Sequence, residues 1–153
     1  MTTIAGIRWW DDDAQMAVAA SIPTHVFASN TDSAAAIELA ARNPETVLSL
    51  ILADPILDVD THTDLLAQVT VPTLVVASAL DTTTDLTVAQ RLAGGIDNAV
   101  FVVIDGCTHP VHTGNRESFH EWTSSFVTIA EGLALRSGTA LTPPTPLVEG
   151  AFG

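Results

Sequence analysis

Apolar runs and amphipathic stretches take turns along the chain. Residues 25–28 (HVFA) form a short apolar run, and Val47–Ala53 (VLSLILA) is almost continuously apolar. Pro72 opens a third run over 73–78 (TLVVAS), and 99–104 reads AVFVVI. Apolar segments of this length, without strict polar alternation, predict strands buried on both faces of a parallel sheet. The stretches between them carry helical signals. Ala, Ile and Leu fill one face over Ser33–Arg42 before Asn43-Pro44 stops the helix. A short helix is expected over 63–69, another over 84–92 ahead of the Gly94-Gly95 stop, and a long one over 117–135. Near the start, 11–20 is Ala-rich with three Asp at its front, which suits a helix N-terminus, and Pro23 ends it. From residue 137 the chain turns to Thr, Pro and Gly, the composition of a loose extension.

Four strands separated by helices predict an α/β fold, a mainly parallel sheet of about four strands with helices packed on its faces. Right-handed crossovers set sequential strands side by side, and chemistry collects at their carboxyl ends. Those ends read Ala28-Ser29-Asn30-Thr31-Asp32, Asp54-Pro55, Ser78-Ala79-Leu80-Asp81 and Asp105-Gly106-Cys107-Thr108-His109. Asp81 and His109 thus leave neighbouring strands at one edge of the sheet, within hydrogen-bonding reach.

With 153 residues, the chain fits one domain, taken as 1–136 followed by a tail over 137–153. Its net charge is −13, and all five cations are arginines, at 8, 42, 91, 116 and 136. So acidic a surface repels phosphate backbones and anionic lipid, which argues against nucleic-acid and membrane partners. No apolar run approaches the roughly 18 residues of a membrane span, and the N-terminus lacks a signal pattern. The single cysteine excludes an internal disulfide and points to a cytoplasmic protein.

The segments 71–81 (VPTLVVASALD), 105–112 (DGCTHPVH) and 117–126 resemble, in this order, the acid strand, the histidine loop and the closing helix of α/β-hydrolases. Residues 25–40 and 42–55 resemble the nucleophile strand, its helix and the next strand, so the similarity runs over about 11–133. The resemblance implies an α/β-hydrolase core with Asp81 as acid and His109 as base. It also exposes two departures. Where the family's elbow reads G-x-S-x-G, this chain places Asn30 at the nucleophile position, with Ser29 one residue early. The first four strands of the full fold, and the oxyanion-hole N–H that an early loop supplies, have no counterpart. Thr31 N–H is left as the second oxyanion donor.

A base without a serine points to direct transfer. His109, oriented by Asp81, would deprotonate an acceptor that attacks an activated acyl group, with Asn30 and Thr31 N–H facing the acyl oxygen. Asn30 reads equally well as a turn residue that tolerates left-handed backbone angles. Cys107, two residues before His109, is either an acyl carrier or a small packing residue, and Ser29 is a displaced nucleophile candidate. His112 reads as a structural or pocket residue. Small size, a hydrolase-like core and a missing serine resemble the small acyltransferases of nosiheptide-type thiopeptide antibiotic assembly. That likeness implies a thioester on an acyl carrier protein as donor and a peptide or small molecule as acceptor, with the arginines docking the carrier. No cofactor and no metal are implied. The alternatives are a small hydrolase using Ser29 or Cys107, and a binding protein in which the pair is vestigial. Trp9 and Trp10 are expected to cover the flank of the sheet rather than to stack on an aromatic acyl group. An otherwise bare 25–28 edge predicts a homodimer.

Overall fold

The computed structural model describes residues 7–9, 22–79, 86–105, 111 and 115–136. The expected helix at 11–20, the Asp11–Asp13 run and the tail from 137 lie outside the described residues. Five strands form one parallel sheet in sequence order: β1 (Ile7–Trp9), β2 (Thr24–Ser29), β3 (Val47–Ala53), β4 (Thr73–Ala79) and β5 (Ala99–Asp105). The helices are α1 (Ser33–Arg42), α2 (Thr63–Ala67), α3 (Thr87–Gly94) and α4 (Arg116–Arg136). The four expected strands and their parallel pairing are all present.

Strand order dictates the layers. When each right-handed crossover steps one strand in the same direction, successive helices must fall on the same face. Accordingly α1, α2 and α3 contribute Ile37, Leu66 and Leu92 to a core built on Val26, Leu50, Leu52 and Val75. The other face holds Phe27, Ile51, Val76 and Ile104, covered by Phe126 and Val127 of α4. Strand alternation therefore sends neighbouring residues of β2, β3 and β4 into two separate cores, and β3 and β4 are buried throughout.

Two details depart from the expectations. β1 pairs with β2 from Ile7↔His25 to Trp9↔Phe27, so the edge on which the homodimer argument rested is already covered within the chain. Trp9 pairs with Phe27 as a strand residue, and Trp10 lies outside the described residues. Second, 99–104 is not buried on both faces. β5 is the last strand of the sheet order, and Val100 is 47% exposed. An apolar run alone cannot distinguish an edge strand whose outer side lacks a neighbour from a central one.

Within the α4-side core sits a polar cluster that pattern reading did not anticipate. His25 Nε2 lies 2.9 Å from Glu131 Oε2, and Nδ1 lies 2.7 Å from Ser49 Oγ. All three residues are essentially inaccessible. With Glu131 ionised, Nε2–H donates to the carboxylate, and the other ring nitrogen of a neutral imidazole accepts from the Ser49 hydroxyl. The cluster ties α4 to β2 and β3. Removing one partner strands the other in a low-dielectric interior, so His25→Ala is expected to cost about 3–5 kcal/mol. By contrast Arg42→Ala, which breaks only the exposed Arg42–Glu38 pair, is expected to cost less than about 1 kcal/mol. Urea unfolding of the two variants measures the difference, and equal effects would contradict this account of the cluster.

Candidate functional site

The carboxyl ends of β2, β3 and β4 meet around a cavity of about 350 Å³. β2 runs straight into a helix here. Ser29 is still extended (φ −133°, ψ 156°), Asn30 turns the chain at φ 51°, a single 3₁₀ turn covers Asn30–Asp32, and α1 begins at Ser33. Among the described non-glycine residues only Asn30 and Asp54 have positive φ. Such angles cost a side-chain-bearing residue on the order of 1 kcal/mol or more, and asparagine tolerates them best of the larger residues. The strained strand-to-helix turn that a nucleophile elbow requires is therefore present, with an amide at its apex.

Asn30 lines the cavity together with Asp54, Ser78, Ile56, Val88 and Ala89. Its carbonyl accepts the Ile56 N–H at 3.0 Å, which fastens the elbow to the segment after β3. Asp54 donates its own N–H to the Val76 carbonyl (2.8 Å), keeping one ladder bond to β4 while its backbone turns at φ 46°. Its buried carboxylate faces β4: Oδ1 accepts the Ser78 N–H at 2.8 Å, and the Ser78 hydroxyl lies 3.1 Å from both oxygens. Oδ2 accepts the Val111 N–H at 2.7 Å.

The structure places three of the sequence-predicted site residues. Asn30 is half-buried at the cavity, Thr31 is exposed on the 3₁₀ turn, and Ser29 is half-buried at the last position of β2. By alternation Ser29 follows His25 and Phe27 toward the α4 face, one step round from Asn30. Asp81, His109, Cys107 and His112 lie outside the described residues. The strands leading to the first two end side by side, Ala79 opposite Asp105, as their expected meeting at one edge requires. The sequence reading named Asp54 only as a strand end and missed its contacts. They join residues 24 and 57 positions apart, a distance no local pattern encodes. Of the arginines whose side chains are described, Arg42 pairs with Glu38 and Arg91 with Asp60, while Arg116 is exposed at the start of α4.

A family model described as TAP-like protein (Abhydrolase_4) matches residues 53–132, more than half of the chain. The chain belongs to the TAP-like family. The match runs from the end of β3 into α4 and takes in Asp54, Asp81 and His109, whereas the elbow at 29–31 precedes it. No curated protein matches this TAP-like chain by sequence. Among solved structures, a hydrolase of Thermoplasma acidophilum described as CIB-like superposes with a TM-score of 0.65 at 17% identity, over 76% of this chain and 56% of that one. The proline iminopeptidase of Mycobacterium smegmatis gives 0.67 at 15%, over 80% and 71%. A putative lipase of Acinetobacter baumannii gives 0.68 at 13%, over 79% and 66%. Likeness at this level establishes the α/β-hydrolase fold. The TAP-like chain spans 56% of the Thermoplasma acidophilum structure, a little over half of that chain.

If the φ of 51° at Asn30 is held by the fold, residue choice there follows backbone tolerance. Asn30→Gly is expected to leave stability unchanged or slightly raised, and Asn30→Val to lower it by about 1–3 kcal/mol. Calorimetric melting of both variants checks this, and a Val variant as stable as the parent would remove the strained elbow from the account.

Proposed function

We infer that the chain is an acyltransferase that passes an activated acyl group directly to an acceptor, without a covalent acyl-enzyme. The observation that carries this is Asn30, an amide at the apex of an elbow that keeps its positive φ. An amide cannot accept an acyl group as a serine does, but its N–H can donate to a developing oxyanion. The Thr31 N–H is the second donor of the proposal. His109, oriented by Asp81, removes the proton from a thiol, hydroxyl or amine. The resulting nucleophile attacks the thioester carbonyl, the C–S bond breaks, and the imidazolium returns the proton to the departing thiolate. Thioester and acceptor thereby give acylated acceptor and free thiol, and the base is regenerated.

The cavity supports a small acyl group. At about 350 Å³ it lies near the lower end of ligand pockets, and Ile56, Leu86 and Val88 give it apolar walls beside the polar Asn30. A carrier protein as donor fits the proposed chemistry, with the exposed Arg42, Arg91 and Arg116 as docking cations. The missing elbow serine supports a natural-product setting of the thiopeptide type.

Hydrolysis is the second reading, favoured by the fold neighbours, which are described as a hydrolase, an iminopeptidase and a lipase. It requires Ser29 or Cys107 as nucleophile, or water in place of the acceptor. Product analysis with a short-chain acyl thioester, with and without an added thiol acceptor, separates the two. Direct transfer predicts acylated acceptor from Ser29→Ala and Cys107→Ala at near-parental rates. In His109→Ala a loss of about 100-fold or more is expected. Free acid as the main product, abolished by Ser29→Ala or Cys107→Ala, would establish the hydrolase instead, and unchanged rates in His109→Ala would leave a binding protein.

A further inference from the structure

We propose that Asp54 is a positioning residue for His109, its carboxylate joining Val111, two residues after His109, to Ser78 on β4. The inference rests on the proposed role of His109 and deepens it. Among the described residues, four contacts converge on one buried side chain: the Ser78 N–H at 2.8 Å, the Ser78 hydroxyl 3.1 Å from each oxygen, and the Val111 N–H at 2.7 Å. Ser78 stands three residues before Asp81, and Val111 two residues after His109. One carboxylate therefore anchors both segments next to the residues on which the acid–base pair depends. Charge-assisted bonds of this length are strong and directional, and a side chain with two acceptor oxygens can hold both strangers at once.

The far side of the same turn holds the elbow. Ile56, two residues after Asp54, donates its N–H to the Asn30 carbonyl at 3.0 Å. The two described non-glycine residues with positive φ, Asn30 and Asp54, are thus linked through one short segment that also borders the cavity. Elbow, acid strand and histidine segment share a common reference point. Asp54→Asn tests whether that point matters for the base. The amide oxygen can satisfy one N–H, but the NH₂ that replaces the other oxygen cannot accept the second.

The experiment uses the full chain labelled at the histidine Cε1 and Val111 amide positions. In the parent, the Val111 amide is expected to exchange with solvent about 100-fold or more slowly than an unstructured amide, and exchange at the unstructured rate would overturn the proposal. In Asp54→Asn, the His109 ring signal is expected to shift and broaden while that of His25, buried in the α4-side core, stays in place. With an acyl thioester substrate, kcat is expected to fall about tenfold or more at nearly unchanged KM. A variant with lowered melting temperature but parental His109 signal and kcat would make Asp54 a structural cap only. The ring signal and amide exchange are read without turnover. Failure of the acyl-transfer reading would therefore leave them standing, whereas an unmoved His109 signal would sink the positioning role alone.

Discussion

Two hydrogen-bonding groups of one three-residue turn organise the carboxyl end of this sheet. Asp54 reaches Ser78 and Val111 with its carboxylate, and Ile56 holds the Asn30 carbonyl with its N–H. Parallel strands laid down in order bring their carboxyl ends to one edge, but they leave the loops beyond those ends free to diverge. Buried carboxylate bonds restrict that freedom at Ser78 near the end of β4 and at Val111 beyond the end of β5. The cost is visible in the backbone, since Asp54 itself is turned to φ 46°. Strain of this kind persists only where its surroundings over-determine it, and three described segments converge here.

At the elbow the backbone geometry is retained although the residue at its apex is not a serine. The sharp strand-to-helix turn, the α1 that follows it and the cavity beside it are all kept, while the apex is an amide. The TAP-like match and the α/β-hydrolase neighbours establish family and architecture, and the family match leaves out the elbow. The elbow is also where hydrolysis and direct transfer part company. A serine commits the acyl group to a covalent intermediate open to water, whereas an oxyanion donor in its place leaves the carbonyl for an outside acceptor.

Much of this architecture was legible in the sequence because burial on both faces writes itself as uninterrupted apolar residues. Ser33–Arg42 and Val47–Ala53 were found with their observed bounds, and β4 and β5 to within one residue. The unusual backbone of Asn30 was legible as well, since left-handed tolerance is a property of the residue itself. What escaped was set by long-range contacts. β1 is three residues with an arginine at its centre, too short for any periodicity. The exposure of Val100 depends on which strand comes last, which an apolar run does not record. His25, Ser49 and Glu131 meet across as many as 106 positions, and Asp54 reaches Val111 across 57. Each of these residues looks ordinary in its own neighbourhood.

If the elbow keeps the geometry for a nucleophile and lacks only the nucleophile, a serine at position 30 restores covalent reactivity. Intact-mass spectrometry of the parent and of Asn30→Ser after exposure to a fluorophosphonate ester measures this. No added mass is expected on the parent, and one covalent adduct on Asn30→Ser, lost again when His109 is changed to Ala. An adduct on the parent at Ser29 or Cys107, or an Asn30→Ser protein that stays folded and unlabelled, would contradict this reading of the elbow.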